Sequence, residues 1–292
     1  MESRIGLIGF GEAGRTFAVA GSWASAAHVF DIKTDSACDG PVMLARYADA
    51  GVSGCADLAS TVGQAGLILS LVTADQALAV AEAVAHCIAP KALYCDMNSV
   101  APQTKQAAAT LIEGAGAHYI DVALMAPVDP AGLAIPLLLS GGEAGNAAER
   151  LGQLGFANRR TVGTSVGRAS SIKMIRSVMV KGIEALSAEC VFAADAAGVL
   201  DEVLSSLDAS EKAKPWPVRA DYNLDRMMIH GLRRAAEMEE VVKTLEGLGT
   251  GSAMTRGTVE RQRAIGELRI GDPAPGLHDK LLQLNDGKAQ AA

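Results

Sequence analysis

Aromatic side chains are scarce: 2 Trp, 4 Tyr and 5 Phe make up only 4% of the 292 residues. Surfaces that grip single-stranded nucleic acid stack bases on exposed rings, and this chain has few rings to offer. An excess of positive charge is also missing. The 26 Lys and Arg face 33 Asp and Glu, for a formal net charge of −7, so a polyanion such as DNA is a poor partner. Five cysteines (Cys38, Cys55, Cys87, Cys95 and Cys190) contain no CxxC pair. Neither a disulfide framework nor a zinc site is indicated, and a reducing cytoplasm fits them. His, Cys and carboxylates show no metal-ligand spacing, and neither GxSxG nor a locally supported Cys–His arrangement occurs. No apolar run reaches the roughly 18 residues of a membrane span; Glu82 and His86 interrupt the apolar-looking Ala77–Pro90. Met1-Glu2-Ser3-Arg4 leads directly into a strand pattern, which leaves no room for a signal peptide.

What is present is 49% apolar residues and 31 Gly, a composition suited to close packing through small side chains and too apolar for disorder. The length allows one large domain or two ordinary ones. Short apolar runs at Arg4–Ile8, Ala27–Phe30, Leu67–Leu71, Ala92–Asp96, His118–Val122, Ala134–Ser140 and Thr161–Val162 predict strands. Helical patterns at Ala13–Ala20, Ala74–His86 and Ala101–Glu113 lie between them. Alternating strand and helix imply right-handed crossovers and a doubly wound parallel sheet. After Gly163 the strand signal ends. Ser165–Ala197 reads as one long helix, Ser210–Asp221 with Pro215 and Pro217 as a broken connection, and Asp225–Leu248, Met254–Leu268 and Ala274–Leu284 as further helices. Asn285–Ala292 is expected to fray. The chain therefore divides into an α/β domain, residues 1–163, and an all-helical domain, residues 164–292. The first holds 9 basic and 15 acidic residues, the second 17 and 18.

The strongest motif is Gly9-Phe10-Gly11-Glu12-Ala13-Gly14, a GxGxxG that follows the first strand and opens the first helix. Gly9 permits the tight turn, Gly11 lets the backbone approach a pyrophosphate, and Gly14 lets the helix pack on the sheet. Asp31 ends the next strand, 22 residues after Gly9, where a carboxylate binds ribose hydroxyls and repels the 2′-phosphate of NADP. NAD is thereby preferred over NADP, although Lys33 can offset part of that repulsion. These residues assign a dinucleotide-binding domain.

A dinucleotide-binding domain followed by a helical domain resembles the 3-hydroxyisobutyrate and 6-phosphogluconate dehydrogenase family, the β-hydroxyacid dehydrogenases, over nearly the whole chain. The resemblance rests on Gly6–Gly14, on Leu71-Val72-Thr73, on Asp96-Met-Asn98-Ser99-Val-Ala-Pro102, and on Gly167-Arg-Ala-Ser-Ser-Ile-Lys173. It implies hydride transfer between a nicotinamide and an alcohol or carbonyl carbon. Lys173 would be the acid–base catalyst, Leu71, Val72, Thr73 and Asn98 would lie along the cofactor, and Asn98 and Ser99 at the substrate. It also implies dimers or tetramers. The residues alone make Lys173 a cation in an apolar helical stretch, which fits either proton transfer or a snorkelling surface lysine.

Three departures from the family pattern bear on the substrate. Ser177 stands where an Asn is usual, with Arg176 before it, and Arg176 is equally a carboxylate clamp or a solvated helix charge. The Ser-Gly-Gly carboxylate pocket after Asp121 is replaced by a segment containing Met125, Ala126 and Pro127, and Ser140-Gly-Gly reads as a turn. In the helical domain the usual Lys-Asp pair gives way to His230-Gly-Leu-Arg233-Arg234, ahead of Glu237 and Glu240. His230 and Arg233 lie one turn apart and can meet an anion together. The expectation is an NAD(P)-dependent oxidoreductase acting on a small, anionic substrate, a divergent member of the family. Imine reduction, oxidation coupled to rearrangement, and a cofactor-binding sensor without turnover are the alternatives.

Overall fold

The structure, a computed structural model, describes residues 4–210 and 213–291. Met1–Ser3, Glu211 and Lys212 within the expected connection, Ala292, and the side chains of Glu184, Glu237, Glu240, Lys243, Lys288, Gln290 and Ala291 lie outside the described residues. The chain forms two compact units, Met1–Val178 and Met179–Ala292. This division falls 15 residues beyond the expected one at Gly163, because Ala169 and Ile172, past that point, pack on Ala123 and Leu138 of the first unit.

The first unit runs β1 (Ile5–Ile8), α1 (Glu12–Ala20), β2 (Ala27–Phe30), α2 (Gly40–Ala50), β3 (Ser53–Gly54), α3 (Leu58–Val62), β4 (Leu67–Ser70), α4 (Ala77–Ala85), β5 (Leu93–Asp96), α5 (Pro102–Gly114), β6 (His118–Leu124), β7 (Leu137–Ser140), α6 (Ala144–Gln153) and β8 (Arg159–Gly163), then enters α7 (Arg168–Ala196). The eight strands have the order β3-β2-β1-β4-β5-β6-β7-β8. The chain reverses direction across the sheet beside β1, which opens a crevice at the carboxyl ends of β1 and β4. Strands β1, β4, β5 and β7 are buried throughout, as apolar runs covered on both faces must be. Phe17, Met43, Tyr47 and Leu151 pack on one face; Val62, Val84, Ala108 and Ile112 pack on the other. A fully buried side chain of the size of Ile112 contributes about 1.5–3 kcal/mol.

The sheet is not wholly parallel, as the alternation of elements predicts: β6 and β7 pair antiparallel. Their connection, residues 125–136, carries Pro127, Pro130 and Pro136 and forms only a short 3-10 turn at Gly132–Ala134. Proline lacks the N–H that a crossover helix needs, so the chain doubles back instead. That turn also delays the expected strand from Ala134 to Leu137. Helices α2, α3 and α6 complete the alternation beyond the patterns named from the sequence, and the first two carry local signals. Gly51 closes α2 in the left-handed conformation, and Asp57 and Ser60 form a capping box on α3.

The second unit contains the rest of α7, then α8 (Leu200–Ser210), α9 (Trp216–Leu248), α10 (Ala253–Gly266) and α11 (Leu277–Ala291). The broken connection ends earlier than its two prolines suggest. Pro215 is the N-cap of α9 and Pro217 sits in its first turn, where an N–H would be unpaired anyway. Of the tail expected to fray, residues 285–291 continue α11, with Gly287 close to Leu268, and Ala292 lies outside the described residues. Helices α9 and α10 cross in backbone contact at Gly231 and Gly266. A Cβ on Gly231 would collide with the Gln262 carbonyl, and one on Gly266 would stand 2.5 Å from the Leu232 nitrogen. The N-terminus of α10 is capped from α7: Glu189 accepts from the Met254 and Thr255 N–H groups at 2.9 Å and from the Thr255 hydroxyl at 2.5 Å. Burial raises its pKa, but these three bonds outweigh burial and hold the carboxyl below its ordinary value. Between α9 and α11, Lys280 bridges Asp221 at 2.9 Å and Asp225 at 3.3 Å.

Candidate functional site

The turn from β1 into α1 has the geometry that a dinucleotide requires. Gly9 has φ +88°, and a Cβ there would stand 2.5 Å from the Leu71 carbonyl oxygen. A Cβ on Gly14 would stand 2.5 Å from the Gly9 oxygen, so α1 approaches the turn at backbone distance. Gly11 faces open space, and no side chain caps α1. Its first N–H groups are thus left for an anion such as a pyrophosphate. The adjoining cavity, about 280 Å³, is lined by Gly9, Gly11, Asp31, Leu71, Val72 and Thr73, together with Ile32, Lys33, Leu58, Gln76 and Val80. Its apolar walls fit an adenosine. At its rim Asp31 accepts from the Phe10 N–H at 2.7 Å and the Lys33 N–H at 3.0 Å, one on each oxygen. A carboxylate has about four acceptor sites, so capacity remains for ribose hydroxyls. The residues present fit NAD(P).

Within that motif the roles differ from residue to residue. Phe10 is fully buried, its ring edge-on to Tyr47 at 5.1 Å, so only its backbone faces the loop. Glu12 and Gly11 are exposed, and Ala13 is half-buried against the core. Asn98 is buried between strand ends. Its Oδ1 accepts from the Val72 N–H at 2.7 Å, and its amide donates to Ser70 Oγ at 3.0 Å. It therefore holds the Val72 backbone beside the cavity, while Ser99 is exposed.

A row of polar residues crosses the carboxyl ends of the strands. Ser70, Asp96, Asp121 and Ser140 are successive cross-strand partners on β4 to β7, and all four are fully buried. Asp96 Oδ1 accepts from the Asn98 N–H at 2.9 Å and from Lys105 Nζ at 2.8 Å; Asp96 Oδ2 accepts from the Tyr119 hydroxyl at 2.5 Å. Burial first, then the Asp96 carboxylate, pushes the Tyr119 pKa far up, so the phenol stays a donor. Asp121 Oδ2 accepts from the Gly167 N–H at 3.1 Å and from the Ser170 N–H and hydroxyl, each at 3.0 Å. Ser140 adds a bond to Asp121 and accepts the Ala169 N–H at 3.0 Å. A strand carboxylate thus caps the N-terminus of α7, where the helix dipole favours negative charge. The Ser140-Gly-Gly segment is part of this cap as well as a turn.

Lys173 follows one turn after Ser170 on the same helix face, where α7 emerges from the buried row, and it is half-buried. Ser177 continues that face, but its hydroxyl donates to the Lys173 carbonyl at 2.9 Å. Its hydrogen is spent inside the helix rather than offered to a substrate. Arg176 is exposed. Met125 packs with Ile172 beside Ala123 and Leu138, and it borders a surface cavity of about 550 Å³ with Asn158, Arg159 and Arg160. His230 and Arg233 belong to the second unit, where they line a cavity of about 410 Å³ with Arg269 and the Gly231–Gly266 crossing. Lys105, Tyr119, Ser140 and Ser170 are the residues that reading the sequence missed. For Lys105 the signal was there: it stands three, four and seven residues before Ala108, Ala109 and Ile112, on the apolar stripe of α5.

Comparison with known proteins agrees with this geometry. Residues 4–151 match the NAD binding domain of 6-phosphogluconate dehydrogenase, and residues 194–265 match a domain of unknown function, DUF1932. A conserved hypothetical protein from Sinorhizobium meliloti is 35% identical, with 98% of this chain and 97% of that one covered at a TM-score of 0.62. A conserved protein of unknown function, described as structurally similar to 3-hydroxyacid dehydrogenases, is 26% identical, with 99% of each chain covered and a TM-score of 0.59. An imine reductase from Pseudomonas sp. shares the fold at 17% identity, with 97% and 99% covered and a TM-score of 0.71.

Proposed function

The chain belongs to the family of the 6-phosphogluconate dehydrogenase NAD-binding domain, and on that premise we propose which reaction this NAD(P)-dependent oxidoreductase carries out. It interconverts an alcohol and a carbonyl on a small anionic substrate, with NAD preferred over NADP. The observation that carries this reading is the seating of α7: Asp121 fixes its first turn to the sheet edge, one turn before Lys173. The bound cofactor supplies or takes up the hydride. Lys173 gives a proton to the carbonyl oxygen during reduction and takes the alcohol proton during oxidation. Asn98 keeps the Val72 backbone in place on the cofactor side, and Ser99 orients the substrate. Arg176 is the candidate contact for the anion in the first unit, and His230 and Arg233 are the candidates in the second. The preference for NAD rests on Asp31, with the uncharged Ile32 beside it.

The test is a panel of β-hydroxy acids, ketols and cyclic imines with both cofactors, together with NADH and NADPH titrations followed by fluorescence. Turnover of hydroxy acids and tighter binding of NADH are expected. Turnover confined to cyclic imines replaces the alcohol chemistry with imine reduction, which the missing Ser-Gly-Gly after Asp121 favours. NADH binding without consumption makes the protein a sensor, and tighter NADPH binding removes the role given to Asp31.

A second copy of the chain is the proposed partner. Ile175 and Val178 on α7 are 71% and 70% exposed, Phe192 on the same helix is 63% exposed, and Trp216 and Tyr222 on α9 are each 54% exposed. Apolar exposure on this scale marks an interaction surface. Light scattering is expected to give at least twice the chain mass of 30.0 kDa; a monomer at micromolar concentration sinks this part.

A further inference from the structure

We propose that Lys105 is a positioning residue that joins the two halves of the site, the cofactor-side loop and the helix of Lys173. The proposal rests on the role given to Lys173 above. Lys105 is fully buried on α5. Its ammonium donates to the Asp96 carbonyl at 2.7 Å and to Asp96 Oδ1 at 2.8 Å, and it stands 3.7 Å from Asp121 Oδ1. Each carboxylate then holds a different element. The Asp96 oxygen that Lys105 touches also takes the Asn98 N–H, and Asn98 holds Val72. Asp121 takes the first N–H groups of α7. Asp121 Oδ1 has no hydrogen-bond partner, so the ammonium at 3.7 Å is the charge that faces it.

Charge arithmetic explains why a lysine is needed. Two buried carboxylates face one ammonium, and the N-terminus of a long helix adds about half a positive charge. Without Lys105 the two carboxylates stand on neighbouring strands, cross-strand partners, with no ammonium between them. They would repel, and each would carry its own element with it: Asp96 the Asn98–Val72 side, Asp121 the start of α7. Displacement of a catalytic group by about 1 Å costs on the order of 100-fold in rate. Lys105 therefore acts on the reaction through the spacing of the two sides and touches neither substrate nor cofactor.

The experiment uses the full chain. Its first readout is amide hydrogen exchange without substrate or cofactor. In Lys105→Met, exchange is expected to rise together at residues 70–74 and 165–171, and by at least about tenfold more than at the centre of β4. A uniform rise, or a rise at only one of the two segments, overturns the junction. The second readout uses the charge-balanced variant Lys105→Met with Asp96→Asn, which removes the unpaired charge and keeps the chain folded where the single variant fails. In Lys105→Met, kcat with NADH and the best panel substrate is expected to fall about 100-fold with KM little changed; in the charge-balanced variant, where no repulsion remains, kcat and melting temperature are both expected to return toward wild type. Unchanged kcat in a folded Lys105→Met, or a restored melting temperature in the double variant with kcat still about 100-fold down, overturns the proposal. Lys173→Ala in the same assay keeps the two ideas apart. Unchanged turnover there removes the role of Lys173, whereas the exchange result reports on the junction alone.

Discussion

Gly9→Ala is expected to lower the melting temperature of the cofactor-binding unit by about 6–12 °C and to weaken NADH binding at least tenfold. The left-handed φ of +88° costs an alanine about 1–2 kcal/mol. The added Cβ stands 2.5 Å from the oxygen and 2.9 Å from the carbon of the Leu71 carbonyl, backbone atoms at the end of β4 that cannot rotate away. Overpacking of this kind adds about 1–3 kcal/mol. A total near 3 kcal/mol corresponds to the stated shift for a domain of this size. Gly11→Ala is the counterpart. At that position φ is −71° and nothing lies within 4 Å, so the melting temperature should stay within about 1 °C of wild type. NADH affinity should still fall by roughly 10–100-fold, because the methyl group occupies the space through which the backbone meets the pyrophosphate. Thermal melts and fluorescence titrations of the two variants separate the effects. Wild-type affinity in Gly11→Ala would mean that the phosphates do not lie against this loop.

Lys173→Ala is expected to lower kcat by about 10²–10⁴ with little change in KM, the range for a lost general acid–base. In free energy this is about 3–5 kcal/mol of transition-state stabilisation. Lys173→Arg separates proton transfer from charge, since a guanidinium keeps the charge but does not give up its proton. It should remain nearly as slow as the alanine variant. Steady-state rates with the best panel substrate decide the matter: kcat within about threefold of wild type in Lys173→Ala removes the acid–base role.

The local devices of the site were legible in the sequence where one residue type answers one steric demand. Gly9, Gly11 and Gly14 each meet a distinct requirement of the turn, and Asp31 falls just past β2 at the rim of the cavity beside that turn. The eight-stranded sheet was legible from apolar runs, apart from the two-residue β3, too short to show a period. The reversal of β7 was not. It depends on residues 125–136 failing to build a crossover helix, and no pattern of apolar residues records that. The polar row was hidden for another reason. Ser70, Asp96, Asp121 and Ser140 are far apart in the chain and become neighbours only through strand register, which a linear reading does not supply. Lys105 stands on the apolar stripe of α5, but lysines are almost never fully buried unless paired, and its partner Asp96 lies nine residues back, on a different element.

The seating of α7 also determines how this protein can be cut. A fragment ending at Gly163, where the strand signal stops, would keep Asp121 but delete the Gly167 and Ser170 groups that satisfy it. It would also uncover Ala123 and Leu138, which Ala169 and Ile172 now cover. A fragment cut after Val178 keeps these contacts, and it carries the proposed proton donor with it. Exchanging helical units between relatives at that later boundary would leave each chimera with the Lys173 position of its own first unit, so the proposed proton donor would not change with the exchange.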